Sequence, residues 1–123
     1  MKILIADDDP VHVRLVAGVL KRKGIDTVAA YDALQAWTNA VRLLPDAIIL
    51  DISMPCGTGR EVLRRLKSST RTQTIPVVVV SSIGPAGEAE VKALGADAFL
   101  RKPVDTSQLL DALGQLVGPP NPV

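Results

Sequence analysis

The amino-acid sequence predicts an α/β protein built on a doubly wound parallel β-sheet. Short apolar runs recur along the chain without alternation, which is typical of strands buried on both faces of a parallel sheet. Segments with helical spacing and capping residues separate these runs. The alternation gives five strand–helix units within residues 1–117.

The predicted strands are four-residue or shorter apolar runs rich in β-branched side chains. They comprise residues 3–6, 27–30, 47–50, 77–80 and 98–100. The third and fourth runs are the strongest, the second is weaker, and the last is the shortest. Runs of this length suit strands better than buried helices.

Helix signals occupy the segments between the strands. Capping residues precede three helices: Asp9 before Pro10, Asp32 before Gln35, and Asp105 before Gln108. The apolar positions expected to face the core are Leu15, Val16, Val19, Leu20, Leu34, Trp37, Val41, Leu44, Val62, Leu63, Leu66, Leu109, Leu110, Leu113, Leu116 and Val117. The fourth helix, around residues 88–94, has few large apolar residues.

Composition excludes several classes of protein. Fourteen basic and thirteen acidic residues give a net charge of +1, which argues against direct nucleic-acid binding. No apolar run approaches the ~20 residues of a membrane span, and no signal peptide is visible. The single cysteine, Cys56, excludes an internal disulfide framework. We therefore expect one cytoplasmic domain at residues 1–117, followed by a proline-rich tail or linker at 118–123.

Polar residues follow four of the five predicted strands. Asp7, Asp8 and Asp9 follow the first strand, Asp51 the third, Ser81 the fourth and Lys102 the fifth. In an open α/β sheet, ligands bind beyond the carboxyl ends of the strands. Crowded carboxylates favour a hard divalent cation such as Mg²⁺, and a lysine can hold a phosphate. The sequence thus predicts a site for metal and phosphate.

The order and spacing of these motifs are specific. They are Ile-Leu-Ile-Ala-Asp-Asp-Asp-Pro at 3–10, Asp-Ile-Ser-Met-Pro at 51–55, Gly59, Ile-Pro-Val-Val-Val-Val-Ser-Ser at 75–82, Gly-Ala-Asp-Ala-Phe-Leu at 95–100 and Lys102-Pro103. Over residues 2–117 the chain resembles a receiver domain of the two-component response regulators, the family of the chemotaxis response regulator. The resemblance implies a flavodoxin-like (βα)5 fold with strand order 2-1-3-4-5.

The resemblance also implies a role for each site residue. Asp51 would be the phosphoacceptor, and Lys102 and Ser81 would bind the phosphoryl group. A Mg²⁺ or Mn²⁺ ion would be held by Asp7, Asp8, Asp51 and the backbone carbonyl of Ser53. Ser81 and Phe99 would form the conformational switch, and the Lys102–Pro103 peptide bond would be cis.

Function and partners follow from the same resemblance. The chain would be a phosphorylation-controlled switch, not a dedicated enzyme. It would act as a monomer or weak dimer away from membranes and take a phosphoryl group from a histidine kinase or phosphotransfer protein. It would signal through the face formed by the fourth helix, the fifth strand and the fifth helix. Two alternatives stay open. One is a Mg²⁺-dependent phosphatase with an Asp nucleophile, which would need an acidic residue at the position of Ser53. The other is a flavodoxin-like cofactor-binding module, although the acidic run after the first strand would repel the phosphate of a flavin.

Departures from the family pattern concern the switch. Ser81 stands in place of the usual Thr, and Phe99 lacks the hydroxyl that would favour a solvent-facing ring. We therefore expect Phe99 to lie mostly inward. The shortened Gly/Pro-containing segment 83–87 is then expected to be irregular and to be the main moving part.

The remaining candidates have simpler interpretations. His12 is interpreted as a residue of the helix surface or of the packing, and Cys56 as a small loop residue. Trp37 is expected in the core. The basic residues are expected on a solvated face of the third helix: Arg60, Arg64, Arg65, Lys67 and Arg71.

Overall fold

The computed structural model describes residues 1–53 and 59–118. In chain order the elements are β1 (Lys2–Ala6), α1 (Pro10–Arg22), β2 (Asp26–Ala30), α2 (Ala33–Leu43), β3 (Ala47–Leu50), α3 (Gly59–Ser68), β4 (Val77–Ser81), α4 (Pro85–Ala93), β5 (Ala98–Arg101) and α5 (Thr106–Val117). The strands form one parallel sheet in the order β2-β1-β3-β4-β5. The predicted fold class and strand order are confirmed.

Helices cover both faces of the sheet, so each face has its own apolar cluster. The side chains of α1 and α5 pack on one face, against residues such as Ile5 and Val80. Those of α2, α3 and α4 pack on the other, against residues such as Leu50 and Val79. Alternate residues of one strand therefore belong to different clusters, as the two-residue period of a strand requires.

Burial decreases from the centre of the sheet to its edges. The central strands β3 and β4 are buried throughout, and β1 is buried after Lys2. The edge strands β2 and β5 are largely half-buried because each has a neighbour on one side only. The strongest apolar runs in the sequence are thus the central strands.

The three helix caps predicted from the sequence are present in the structure. The side chain of Asp9 accepts a hydrogen bond from the amide of Val11, and that of Asp32 accepts one from Gln35. Asp105 caps α5 in the same way. The prediction for the fourth helix is wrong at its start, because α4 begins at Pro85. Only residues 82–84 separate β4 from α4, so the segment 83–87, which was expected to be irregular, is helical from Pro85 onward. A proline is well suited to the first position of a helix.

The predicted inward faces of α1 and α2 are partly wrong. Leu15 is 55% exposed and Leu34 is 66% exposed. The inner face of α2 is instead made by small side chains, at Ala33, Ala36 and Ala40. Three alanines at helical spacing allow the helix to lie close to the sheet. The prediction missed them because it looked for large apolar side chains on the inner face. Trp37 is only half-buried, with the Arg65 guanidinium 4.2 Å from the ring centroid.

The basic residues of α3 are not simply solvated, contrary to expectation. Lys67 Nζ lies 2.7 Å from Asp97 Oδ2 and 2.8 Å from the carbonyl oxygen of Ile75. Arg60 pairs with Glu90 on α4, and Arg64 pairs with Glu61. The contacts of Lys67 and Arg60 tie α3 to the neighbouring segments, whereas the pair of Arg64 and Glu61 lies within α3.

Two sequence interpretations concern residues outside the described ranges. One is Cys56 as a small loop residue, and the other is the tail at 118–123, of which only Gly118 is described. Within the described ranges, no helix has the length and apolar character needed to cross a membrane.

Candidate metal site at the carboxyl edge of the sheet

The acidic residues lie at the edge where the strands end, here called the carboxyl edge. The amide of Asp7 donates to the carbonyl of Ala30, and the amide of Asp51 donates to the carbonyl of Ala6, at 2.9 and 2.8 Å. Both residues therefore continue the hydrogen-bond ladder one position beyond their strands. Their carboxylates are buried and held by rigid backbone.

Lys102 links the two buried carboxylates. Its Nζ lies 3.3 Å from Asp7 Oδ2 and 3.2 Å from Asp51 Oδ2. The sequence separation is large, 95 and 51 residues, so only the strand order brings these groups together. The peptide bond between Lys102 and Pro103 is cis.

Asp7, Asp8 and Asp51 form a group that could hold a metal ion. Each offers a carboxylate oxygen, and these oxygens all lie within 4.8 Å of one another. Asp8 is exposed, whereas Asp7 and Asp51 are buried. Oxygen donors of this kind are the ligands preferred by Mg²⁺, which retains several waters when bound. The donor set therefore fits a hard divalent cation.

The pKa values of Asp7 and Lys102 are shifted in opposite directions. Burial alone would raise the pKa of Asp7, but the hydrogen bond from the Asp9 amide, the charge of Lys102 and the hydrogen bond from His12 outweigh it and lower that pKa. Burial alone would lower the pKa of Lys102, but Asp51 and Asp7 outweigh it and raise that pKa. Asp7 is thus a carboxylate and Lys102 an ammonium at neutral pH.

His12 belongs to the site, contrary to its interpretation as a residue of the surface or packing. Its Nδ1 lies 2.6 Å from Asp7 Oδ2, the oxygen that also faces Lys102. The sequence carried one usable signal. His12 stands in the first turn of a helix that begins only three residues after Asp7, so helical geometry can bring its side chain back to the strand end.

Residues 51–53, which directly follow β3, lie closely against the start of α3. The amide of Ser53 donates to Asp51 Oδ1 at 3.1 Å, and the amide of Gly59 donates to the carbonyl of Ile52 at 3.0 Å. A Cβ atom at Gly59 would lie 2.5 Å from the Cα of Ile52, closer than real contacts allow. Position 59 therefore requires glycine for α3 to begin this close to the backbone of Asp51 and Ile52.

Ser81 also lies at the carboxyl edge, at the end of β4. Its hydroxyl oxygen accepts the amide of Ile83 at 3.4 Å, and no hydrogen bond joins Ser81 to Asp51 within residues 1–53 and 59–118. Its backbone carbonyl accepts the amide of Lys102 at 3.0 Å. Ser81 is thus tied to the segment that leads into α4.

Phe99 and its neighbour Arg101 lie beside that segment. Phe99 is half-buried and packs against the cluster of α2, α3 and α4, with the Arg101 guanidinium 5.3 Å from its ring centroid. Arg101 also donates to the carbonyl of Ile83 and, at 2.9 Å, to Glu88 on α4. No pattern in the sequence predicts this link from β5 to α4.

Comparison with known proteins connects this geometry to a family. The family model described as the response regulator receiver domain matches residues 3–114 of this chain. The chain is 37% identical to the DNA-binding dual master transcriptional regulator RpaA of Synechocystis over 89% of its length, but it spans only 46% of that regulator. It is 26% identical to the polar-differentiation response regulator DivK of Brucella anthropi, covering 94% of this chain and 95% of DivK.

A solved structure gives the same result. The chemotaxis response regulator CheY4 of Vibrio cholerae superposes with a TM-score of 0.87 at 28% identity, covering 94% of this chain and 97% of CheY4. The sequence comparison and the structural comparison thus point to the same family.

Proposed function

Because this chain belongs to the family of response regulator receiver domains, the signalling switches of two-component systems, we propose that Asp51 is its phosphoacceptor. The proposal rests on one observation, the environment of the Asp51 carboxylate. It is buried at the end of a central strand, 3.2 Å from the Lys102 ammonium, and shares a candidate cation site with Asp7 and Asp8.

The proposed reaction needs little from the protein beyond position and charge. A carboxylate oxygen of Asp51 attacks the phosphorus of a phosphohistidine, the P–N bond breaks, and the leaving nitrogen keeps the electron pair and takes a proton from solvent. The product is an acyl phosphate on Asp51. Phosphoryl transfer of this kind depends on alignment and on neutralising charge, for which Lys102 is suited.

Asp7, Asp8 and Asp51 are the proposed ligands of Mg²⁺, with the backbone carbonyl of Ser53 as a further protein ligand. Bound there, the ion supplies positive charge that offsets the negative oxygens of the incoming phosphoryl group. The chain itself contributes the rigid ladder positions of Asp7 and Asp51, which hold both carboxylates in place before the reaction.

The proposed switch lies between Ser81 and α4. A phosphoryl group on Asp51 offers strong acceptor oxygens, which attract the Ser81 hydroxyl away from the amide of Ile83. Because Arg101 binds both Ile83 and Glu88, a shift of this segment is transmitted to α4. The effector would then be recognised through the α4-β5-α5 face.

The remaining parts of the proposal concern the chain as a whole. We assign residues 1–117 to the receiver domain and the following residues to a tail or linker. It would act in the cytoplasm as a monomer or weak dimer. Its partners would be a histidine kinase or histidine phosphotransfer protein and a downstream effector. Its own chemistry would be limited to gaining and losing the phosphoryl group.

Intact-mass spectrometry tests the acceptor directly. Incubation with acetyl phosphate and Mg²⁺ is expected to add one phosphoryl group to the wild-type chain, and Asp51→Asn is expected to abolish the addition. Asp111→Asn is a matched control, because Asp111 is an exposed carboxylate on α5, and this variant is expected to be modified normally. An unmodified wild type, or an Asp51→Asn variant that still gains one stoichiometric group, would contradict the assignment.

A further inference from the structure

His12 touches the acidic cluster from the side of α1. Its Nδ1 lies 2.6 Å from Asp7 Oδ2, and the two side chains are only 15% and 4% exposed. A carboxylate oxygen can only accept a hydrogen bond, so Nδ1 carries the hydrogen and donates it. The contact is therefore a short, largely buried hydrogen bond to a carboxylate.

The other ring nitrogen of His12 has no such partner among the residues that the structure describes. Nε2 is buried, and within the described part of the chain it makes no hydrogen bond. An unsatisfied buried polar atom is costly, and an apolar side chain of similar shape would avoid that cost. The packing therefore does not explain the imidazole, whereas the contact from Nδ1 does.

Asp7 is held at both of its oxygens. Oδ1 accepts the amide of Asp9 at 3.0 Å, and Oδ2 accepts both His12 and Lys102. Lys102 divides its ammonium between Asp7 and Asp51 and is the group expected to turn to an incoming phosphoryl. When it does so, His12 is the side-chain donor left on Oδ2 in the part of the chain that is described.

We propose that His12 is a positioning residue, whose Nδ1–H fixes the Asp7 carboxylate in the orientation that binds the divalent cation. This inference rests on the proposed magnesium site and adds a residue to it from outside the strand ends. Hydrogen-bonding partners of ligating carboxylates orient them, and removing such a partner weakens metal affinity by about 10- to 100-fold.

Two substitutions separate the donor from the shape of the side chain. In His12→Asn the side-chain NH₂ can occupy the place of Nδ1, so a donor is retained. In His12→Leu a methyl group occupies that place, so the donor is lost while the side chain stays similar in bulk. Isothermal titration with MgCl₂, without a phosphodonor, measures binding in each variant independently of phosphorylation.

We expect the Leu variant to bind Mg²⁺ about tenfold more weakly than the wild type, and the Asn variant to recover most of that loss. Equal affinity of the Leu variant and the wild type overturns the inference, as does an Asn variant as weak as the Leu variant. Should the Leu variant fail to fold, His12→Ala supplies the comparison without a donor. A wild type that binds no Mg²⁺ instead overturns the proposed metal site.

Discussion

Two lysine–carboxylate centres lie at opposite edges of the sheet, and they differ in how their charges are balanced. At the amino edge, where the strands begin, Lys67 contacts Asp97 and the carbonyls of Gln73 and Ile75. Asp97 in turn accepts the amide of Val77 at 2.8 Å. At the carboxyl edge, Lys102 is divided between Asp7 and Asp51.

The two centres use the same chemistry for different purposes. The Lys67 side chain is 15% exposed and has an acceptor for each of its three donors, so its centre is satisfied without help from outside. The Lys102 side chain is 27% exposed and faces a group of three carboxylates, so negative charge remains uncompensated. A balanced centre stabilises the fold, whereas an unbalanced one is ready to bind a cation.

Breaking the balanced centre should have the largest effect on stability. We expect Lys67→Met to lower the free energy of unfolding by about 2 kcal/mol, because the Asp97 carboxylate and the part-buried carbonyl of Ile75 lose their shared donor. Mg²⁺ should not restore this loss, since the centre lies far from the acidic cluster. Urea denaturation measures both quantities, with Lys21→Met on the exposed side of α1 as the control. A loss that Mg²⁺ repairs would remove the distinction between the centres.

Removing Lys102 should have a smaller effect that depends on the metal. We expect Lys102→Met to lower the free energy of unfolding by about 1 kcal/mol without Mg²⁺, because Asp7 and Asp51 lose a shared counter-charge. Added Mg²⁺ should stabilise this variant more than the wild type, because the ion supplies the missing charge. Urea denaturation with and without MgCl₂ tests this, and a deficit that Mg²⁺ leaves unchanged contradicts it.

Neutralising Asp8 should stabilise the metal-free protein. Asp8→Asn relieves repulsion among the three carboxylates, and we expect a gain of about 0.5 kcal/mol because Asp8 is exposed and screened by solvent. The same change removes a proposed ligand, so the rise in melting temperature on adding Mg²⁺ should disappear. Thermal melts at low and millimolar Mg²⁺ measure both effects. Equal Mg²⁺ shifts in the variant and the wild type would count against Asp8 as a ligand.

The smallest effect on stability is expected at Arg101. Its pair with Glu88 is solvent-accessible, with side chains 46% and 30% exposed, so Arg101→Met should cost less than about 0.5 kcal/mol. Amide chemical shifts should show a clearer change, because the carbonyl of Ile83 loses its donor. A large loss of stability would place Arg101 with Lys67, among the groups that support the fold.

The carboxyl-edge centre was predictable because Asp7 and Asp51 directly follow predicted strands and Lys102 follows the last predicted strand after a single residue. Once the strand order is inferred, Asp7, Asp51 and Lys102 must meet at one edge. The central strands were predictable for a related reason, since burial on both faces leaves no alternation of polar residues. The helix caps at Asp9, Asp32 and Asp105 are local signals and form as predicted.

The amino-edge centre was not predictable from the sequence. Lys67 is one basic residue among several on α3, and its burial depends on where Ile75 and Asp97 lie after folding. His12 was missed although it lies only five residues after Asp7, because its contact crosses from a helix to a strand end. The exposed positions of Leu15 and Leu34 show that side-chain size is a poor guide where small residues face the sheet.

The backbone of the two buried acids has a consequence for exchange with solvent. The amides of Asp7 and Asp51 lie on the last rungs of the parallel ladder, so in deuterated water they should exchange only when the sheet itself opens. The amide of Ile83, held by one long bond to a hydroxyl, should exchange far sooner. The acyl phosphate would thus form on the side chain of a residue whose backbone opens as slowly as the core. Its effect would appear in the fast-exchanging segment around Ile83.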